Sequence, residues 1–142
     1  MYILMLAGPH RCGKTSVLND VYDELIRSGA EVIETRTQLG ADPKAFKAVL
    51  RYKEKRIALC TMGDLSREVC DAMRAYAQKQ ADFLLIACNE RLKKPFKLIN
   101  NYDHRIIWKR KSHALFWERH INEAALDLVK TIAALAQSAS PL

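Results

Sequence analysis

Residues 2–17, YILMLAGPHRCGKTSV, decide how the chain is read. The run YILMLA is apolar throughout, the pattern of a parallel strand covered on both faces. It stops at Gly8, and after four mixed residues, Pro9 to Cys12, come Gly13, Lys14 and Thr15. Beyond them Val17, Leu18, Val21, Tyr22, Leu25 and Ile26 form one apolar helical stripe, ended by Gly29. The stretch therefore predicts strand, tight loop, helix. Glycines permit unusual dihedrals and close approach of backbone to a ligand, and a helix N-terminus with unpaired N–H groups attracts an anion. Lys14 supplies a formal charge at that point.

Gly8, Gly13, Lys14 and Thr15 match G-x-x-x-x-G-K-[ST] without departure, and over about the first thirty residues the chain resembles the P-loop nucleoside-triphosphate-binding superfamily. The resemblance implies that Gly8, Pro9, His10, Arg11, Cys12, Gly13, Lys14, Thr15 and Ser16 hold the phosphates of ATP or another nucleoside triphosphate. Lys14 would reach the β- and γ-phosphates, and the Thr15 hydroxyl would ligate Mg²⁺. Beyond those residues the likeness is one of organisation.

EVIETR (31–36), IALCTM (57–62), FLLIAC (83–88) and HRIIW (104–108) read as further strands. A short helix is expected after QLGAD (38–42), with Asp42 as N-cap, Pro43 at the first helical position and Phe46, Val49 and Leu50 on its face. Another helix carries Val69, Ala72, Met73 and Tyr76. A terminal one spans about 114–137 with Trp117, Ile121, Ala124, Leu128, Ile132 and Leu135 in its stripe, before a frayed tail, SASPL. Apolar strands alternating with amphipathic helices predict an α/β fold: a three-layer α/β/α sandwich on a mainly parallel five-stranded sheet. At 142 residues this is one domain, 1–142, without repeat or linker.

Ligands of such sheets bind at the carboxyl ends of the strands. The P-loop resemblance asks for a carboxylate near Mg²⁺ at one of those ends; Asp64, two residues past IALCTM, is that candidate for metal and catalytic work, and equally an N-cap for the next helix. Glu90 is a reserve. Glu34 stands where related small-molecule kinases carry a base for the acceptor hydroxyl, with Arg36 fixing the acceptor, but both also read as a surface pair on one face of an edge strand.

The chain carries 23 basic and 16 acidic residues, net +7. The excess is local: between 91 and 111 stand Arg91, Lys93, Lys94, Lys97, Arg105, Lys109, Arg110 and Lys111 against Asp103 alone. This segment, about 90–112, reads as a lid whose Arg91 or lysines meet the transferring phosphate, as a nucleic-acid surface with Phe96, Tyr102 and Trp108, or as a solvated basic face. The four cysteines (12, 60, 70, 88) lack C-x-x-C spacing, which points to a reduced, cytoplasmic protein without disulfides or zinc. Cys12 is read as a loop spacer, or as a thiol made reactive by Lys14. His10, His113 and His120 show no metal spacing. The first apolar run is too short for a signal peptide or membrane span.

No N-K-x-D or L-S-G-G-Q-like run is present. The expectation is a Mg²⁺- and ATP-dependent phosphotransferase acting on a nucleotide or small metabolite. The alternative is a stand-alone nucleotide-dependent ATPase or regulatory module that engages nucleic acid or a protein through residues 91–111.

Overall fold

The computed structural model describes residues 1–110 and 117–138, with no side-chain description at 117, 118, 121, 137 and 138. Lys111, His113 and the tail from 139 lie outside the described residues, as do the side chains of Trp117 and Ile121.

The order along the chain is β1 (Tyr2–Gly8), α1 (Lys14–Arg27), β2 (Glu31–Gln38), β3 (Phe46–Tyr52), β4 (Lys55–Cys60), α2 (Ser66–Gln78), β5 (Phe83–Asn89), α3 (Lys94–Leu98), a 3₁₀ turn (Ile99–Asn101), β6 (Asp103–Trp108) and α4 (Trp117–Ser138). One six-stranded sheet has the order β2-β3-β4-β5-β1-β6. β4, β5, β1 and β6 are parallel, with Tyr2 opposite Phe83 and Asp103, whereas β2-β3 and β3-β4 are antiparallel. The protein is thus α/β with a mixed sheet, and the expected five-stranded, mainly parallel one is corrected.

The cause lies in residues 43–54. Phe46, Val49 and Leu50 fit a helical stripe, but they belong to strand β3, where Ala48 is buried as well. Phe46, Ala48 and Leu50 join the core on one face of the sheet and Val49 the core on the other, so the apolar residues do not alternate with polar ones and imitate a helix. β3 turns into β4 through Lys53 and Glu54, both left-handed at φ 52° and 64°. That is the backbone of a type I′ hairpin, made here without the Asn-Gly or Asp-Gly that would announce it. Asp42 caps no helix; its Oδ1 accepts from the Lys44 N–H at 2.9 Å and its carbonyl from Ala45 at 3.1 Å, closing the turn into β3.

Successive residues of β1 point to opposite faces. Leu4 and Leu6 join α1 and α4 in one core with Val17, Leu18, Leu128 and Ile132. Ile3, Met5 and Ala7 join α2 and the α3 region in the other, with Val69, Met73 and Ile99. Helices therefore cover both faces. Most of the basic segment is built into this body: Pro95 and Ile99 are buried and β6 pairs with β1 along its length. Among the described residues no helix is long and apolar enough to cross a membrane.

Candidate functional site

The carboxyl ends of β1, β4 and β5 meet the start of α1 around a cleft of about 420 Å³. From the first loop it is lined by His10, Arg11, Gly13, Lys14, Thr15 and Ser16. Asp42 and Lys44 come from the turn before β3, Thr61, Gly63 and Asp64 from the end of β4, and Ala87 from β5.

Gly8 ends β1 where the next strand presses on it: a Cβ there would lie 2.2 Å from the Lys109 carbonyl oxygen and 2.8 Å from Cys12 Sγ. Its side chain is excluded by protein, whatever the cleft holds. The Gly8 carbonyl accepts from the Glu90 N–H at 3.0 Å, and Lys109 N–H donates to Ala7 at 2.7 Å, so the loop is moored to both neighbours of β1. Arg11 is left-handed at φ 58°, and Gly13 at φ 105° is the N-cap of α1. A side chain at Gly13 would be strained there.

No side chain caps α1 and no acid stands in its first turn. The Val17 N–H takes the Gly13 carbonyl at 2.9 Å; the N–H groups ahead of it have no intrahelical acceptor and lie on the cleft wall. The Thr15 hydroxyl makes no hydrogen bond among the described residues, whereas the Thr15 carbonyl accepts from Asn19 Nδ2 at 2.8 Å.

Lys14 is 7% exposed and is the one buried charge among the described residues. Its Nζ donates to the carbonyls of Gly8 at 3.1 Å and Pro9 at 2.6 Å, and lies 3.7 Å from Cys12 Sγ. No carboxylate among the described residues pairs with it. An ammonium has three donors, and the third meets only a weak sulfur acceptor. Cys12 is wholly buried beneath it.

Asp64 lies 3.6 Å from His10 Nδ1, and both side chains are more than half exposed, at 58% and 62%. It does not cap α2. That helix begins at Ser66 with Leu65 as N-cap and no side-chain bond, so the capping expectation is corrected and the carboxylate is left at the cleft. Thr61, directly after β4, is buried, and its hydroxyl accepts from the Phe46 N–H at 2.8 Å. With the Thr15 hydroxyl unengaged and Asp64 and Asp42 on the walls, the cleft holds the hard oxygen donors that Mg²⁺ takes beside phosphate oxygens. Among the described residues no three of His, Cys, Asp and Glu gather as a metal-holding group.

Glu34 and Arg36 are not together. β2 is an edge strand whose pairing to β3 shifts register between Val32 and Glu34 and again between Glu34 and Thr37. The shift turns the two residues to opposite faces, correcting the shared face that an unbroken strand implies. Glu34 pairs with Lys79 on α2 at 3.4 Å. Arg36 lies 3.9 Å above the Phe46 ring and bonds to Asn19 Oδ1. Asn19 in turn holds the Lys44 carbonyl at 3.0 Å, which links β2 to the cleft wall through α1. Glu34 does not line the cleft. Neither does Arg91, which is exposed in the turn after β5 with its N–H on Asn89 Oδ1 at 3.0 Å.

Asp42, Lys44 and Thr61 join the cleft without a motif to mark them. Asp42 carries the signature of a helix cap, but the helix it would cap does not form. Thr61 gave its signal in ending an apolar strand with a hydroxyl.

Cys88 and Cys60 are buried thiols. Burial, then the neighbouring Cys70, pushes Cys88 up to about 12 against a weaker opposing pull from Lys14; burial also raises Cys60.

Comparison of the chain with protein-family models, with curated proteins and with solved structures finds no match.

Proposed function

We propose that the cleft binds the phosphates of a nucleoside triphosphate and that the protein is a Mg²⁺-dependent phosphotransferase of the P-loop kind. The observation that carries this is Lys14, a buried ammonium with no carboxylate partner among the described residues, beside an uncapped helix N-terminus. Burying a charge is costly unless it is paired, and two carbonyls give Lys14 dipoles but no countercharge. A phosphate supplies that charge and accepts from the N–H groups of the first turn of α1. Thr15 and Asp64 would hold the metal, which neutralises charge on the phosphates when bound. The residues' own part is positioning and electrostatic: Lys14 and the amides fix the anion, and Arg11, Lys44 and His10 add cationic reach at the rim. Arg91 acts here only through closure of the 90–93 turn.

A second reading rests on Trp108, which is 58% exposed and stacks on Phe96 at 5.7 Å and 3°. An exposed aromatic among basic residues suits a base of single-stranded nucleic acid, so nucleotide occupancy would gate binding through 91–111.

The test is thermal unfolding with ATP, GTP and candidate acceptors, with and without Mg²⁺. At a hundredfold excess over Kd, occupancy adds about 2.7 kcal/mol. Lys14→Ala is expected to abolish the shift, and an undiminished shift in that variant overturns the proposal. Transfer of γ-phosphate to an acceptor separates the enzyme from the module, which instead binds oligonucleotide with steep salt dependence.

A further inference from the structure

A second depression, about 620 Å³, opens between α2 and α3. Arg67 and Arg74 line it from α2, and Lys94 and Lys97 from α3. Seven residues apart on a helix, the arginines share a face; three apart, so do the lysines. One acid, Asp71, stands among them, and both arginines already lean on it, at 3.8 and 3.7 Å. Lys94 and Lys97 have no carboxylate partner among the described residues. The floor is apolar, formed by Cys70 and Leu98, with Asn101 at one end. The volume is within the range of small-molecule sites, which combine such a floor with a few convergent polar groups.

Four cations around one carboxylate repel one another, and clefts of one sign concentrate counter-ions. Guanidinium forks match phosphate oxygens in pairs, and lysines add point charges. The cleft at Lys14 contributes none of these residues, so this groove stands or falls apart from the function proposed above.

We infer that the α2–α3 groove binds a small phosphorylated molecule, its phosphate held by Arg67, Arg74, Lys94 and Lys97 and its body against Leu98. The two sources of that chemistry are a free polyphosphate and a phosphate ester. Pyrophosphate has only charge to offer, whereas a nucleoside monophosphate also has a body for the apolar floor.

The experiment is calorimetric titration of the full chain carrying Lys14→Ala with pyrophosphate and with AMP. Saturable one-to-one binding of either is expected, tighter for AMP if the floor contributes. Adding Lys94→Gln and Lys97→Gln should weaken it about tenfold or more, as loss of charge-assisted hydrogen bonds does. Both lysines are exposed, and an unchanged melting temperature verifies the fold. No binding by the Lys14→Ala protein, or binding indifferent to the lysine pair, overturns the inference. So does a single-stranded oligonucleotide that binds more tightly than either probe through the same lysines, which would make the groove part of a nucleic-acid surface. ATP·Mg²⁺ binding that is lost with Lys14→Ala and kept with the lysine pair tests the other cleft separately.

Discussion

Gly8 and Tyr76 show how much one residue holds. Motif reasoning assigns Gly8 to the ligand, but the structure gives it a second duty, since the Lys109 carbonyl occupies the place of its Cβ. Gly8→Ala is therefore expected to lower stability by about 1–3 kcal/mol, the cost of overpacking, in denaturant unfolding without any ligand. An unchanged midpoint would show that β6 yields freely. Tyr76 is 6% exposed, and burial, then the charges of Cys60 and Glu34, pushes its phenol from 10 to about 12. A raised pKa in the fold means that the fold prefers the protonated phenol. That contribution is complete below pH 10 and disappears as the pH climbs toward 12. Tyr76→Phe keeps the ring and cannot ionise, so its stability should fall less steeply than the parent's between pH 10 and 12. Cys88 titrates in the same range but is present in both proteins and drops out of the difference. Parallel profiles would contradict the burial argument.

Among elements, the hairpin at Lys53-Glu54 is where sequence and structure part. Left-handed backbone costs an ordinary side chain about 1–2 kcal/mol per residue, and glycine little. Glu54→Gly should therefore stabilise the protein, by up to about 1 kcal/mol, with the change read from urea unfolding; a loss of stability would mean that the turn is not of this kind. β1, β4 and β5 were legible as unbroken apolar runs, β2 and β6 as strand-like stretches, and α1, α2 and α4 as stripes. β3 was illegible because Lys47 breaks its apolar run and leaves Phe46, Val49 and Leu50 three and four apart, the spacing of a helical face. α3 was missed because five residues carry no measurable period, and the shifts in β2 were missed because register is a property of two strands. The site was legible for the same reason as β1, since Gly8 to Ser16 are contiguous. Asp42, Lys44 and Thr61 reach it from turns whose positions depend on that mispredicted hairpin.

At the scale of the molecule, the mixed sheet separates two cores. α4 closes one of them against α1, burying Ala125, Leu128, Val129, Ile132 and Ala136. Ile132 is fully buried, and Ile132→Ala is expected to cost about 2–5 kcal/mol in denaturant unfolding; a loss below about 0.5 kcal/mol, the size of an ordinary surface substitution, would mean that α4 does not close this core. The sheet also brings the two clefts to neighbouring places, since Asp64 belongs to one and Ser66, two residues later, to the other. In the function proposed for the first of them, main-chain amides at the start of α1, with Lys14, cradle a nucleotide's phosphates. The most direct measurement is a titration of ¹⁵N-labelled protein with ATP and Mg²⁺, following the amide resonances of Gly13, Lys14, Thr15 and Ser16. These four are expected to move first and farthest, and Lys14→Ala to remove the response. If they stay in place at saturation while other amides shift, the phosphates bind elsewhere and the reading of the loop is wrong.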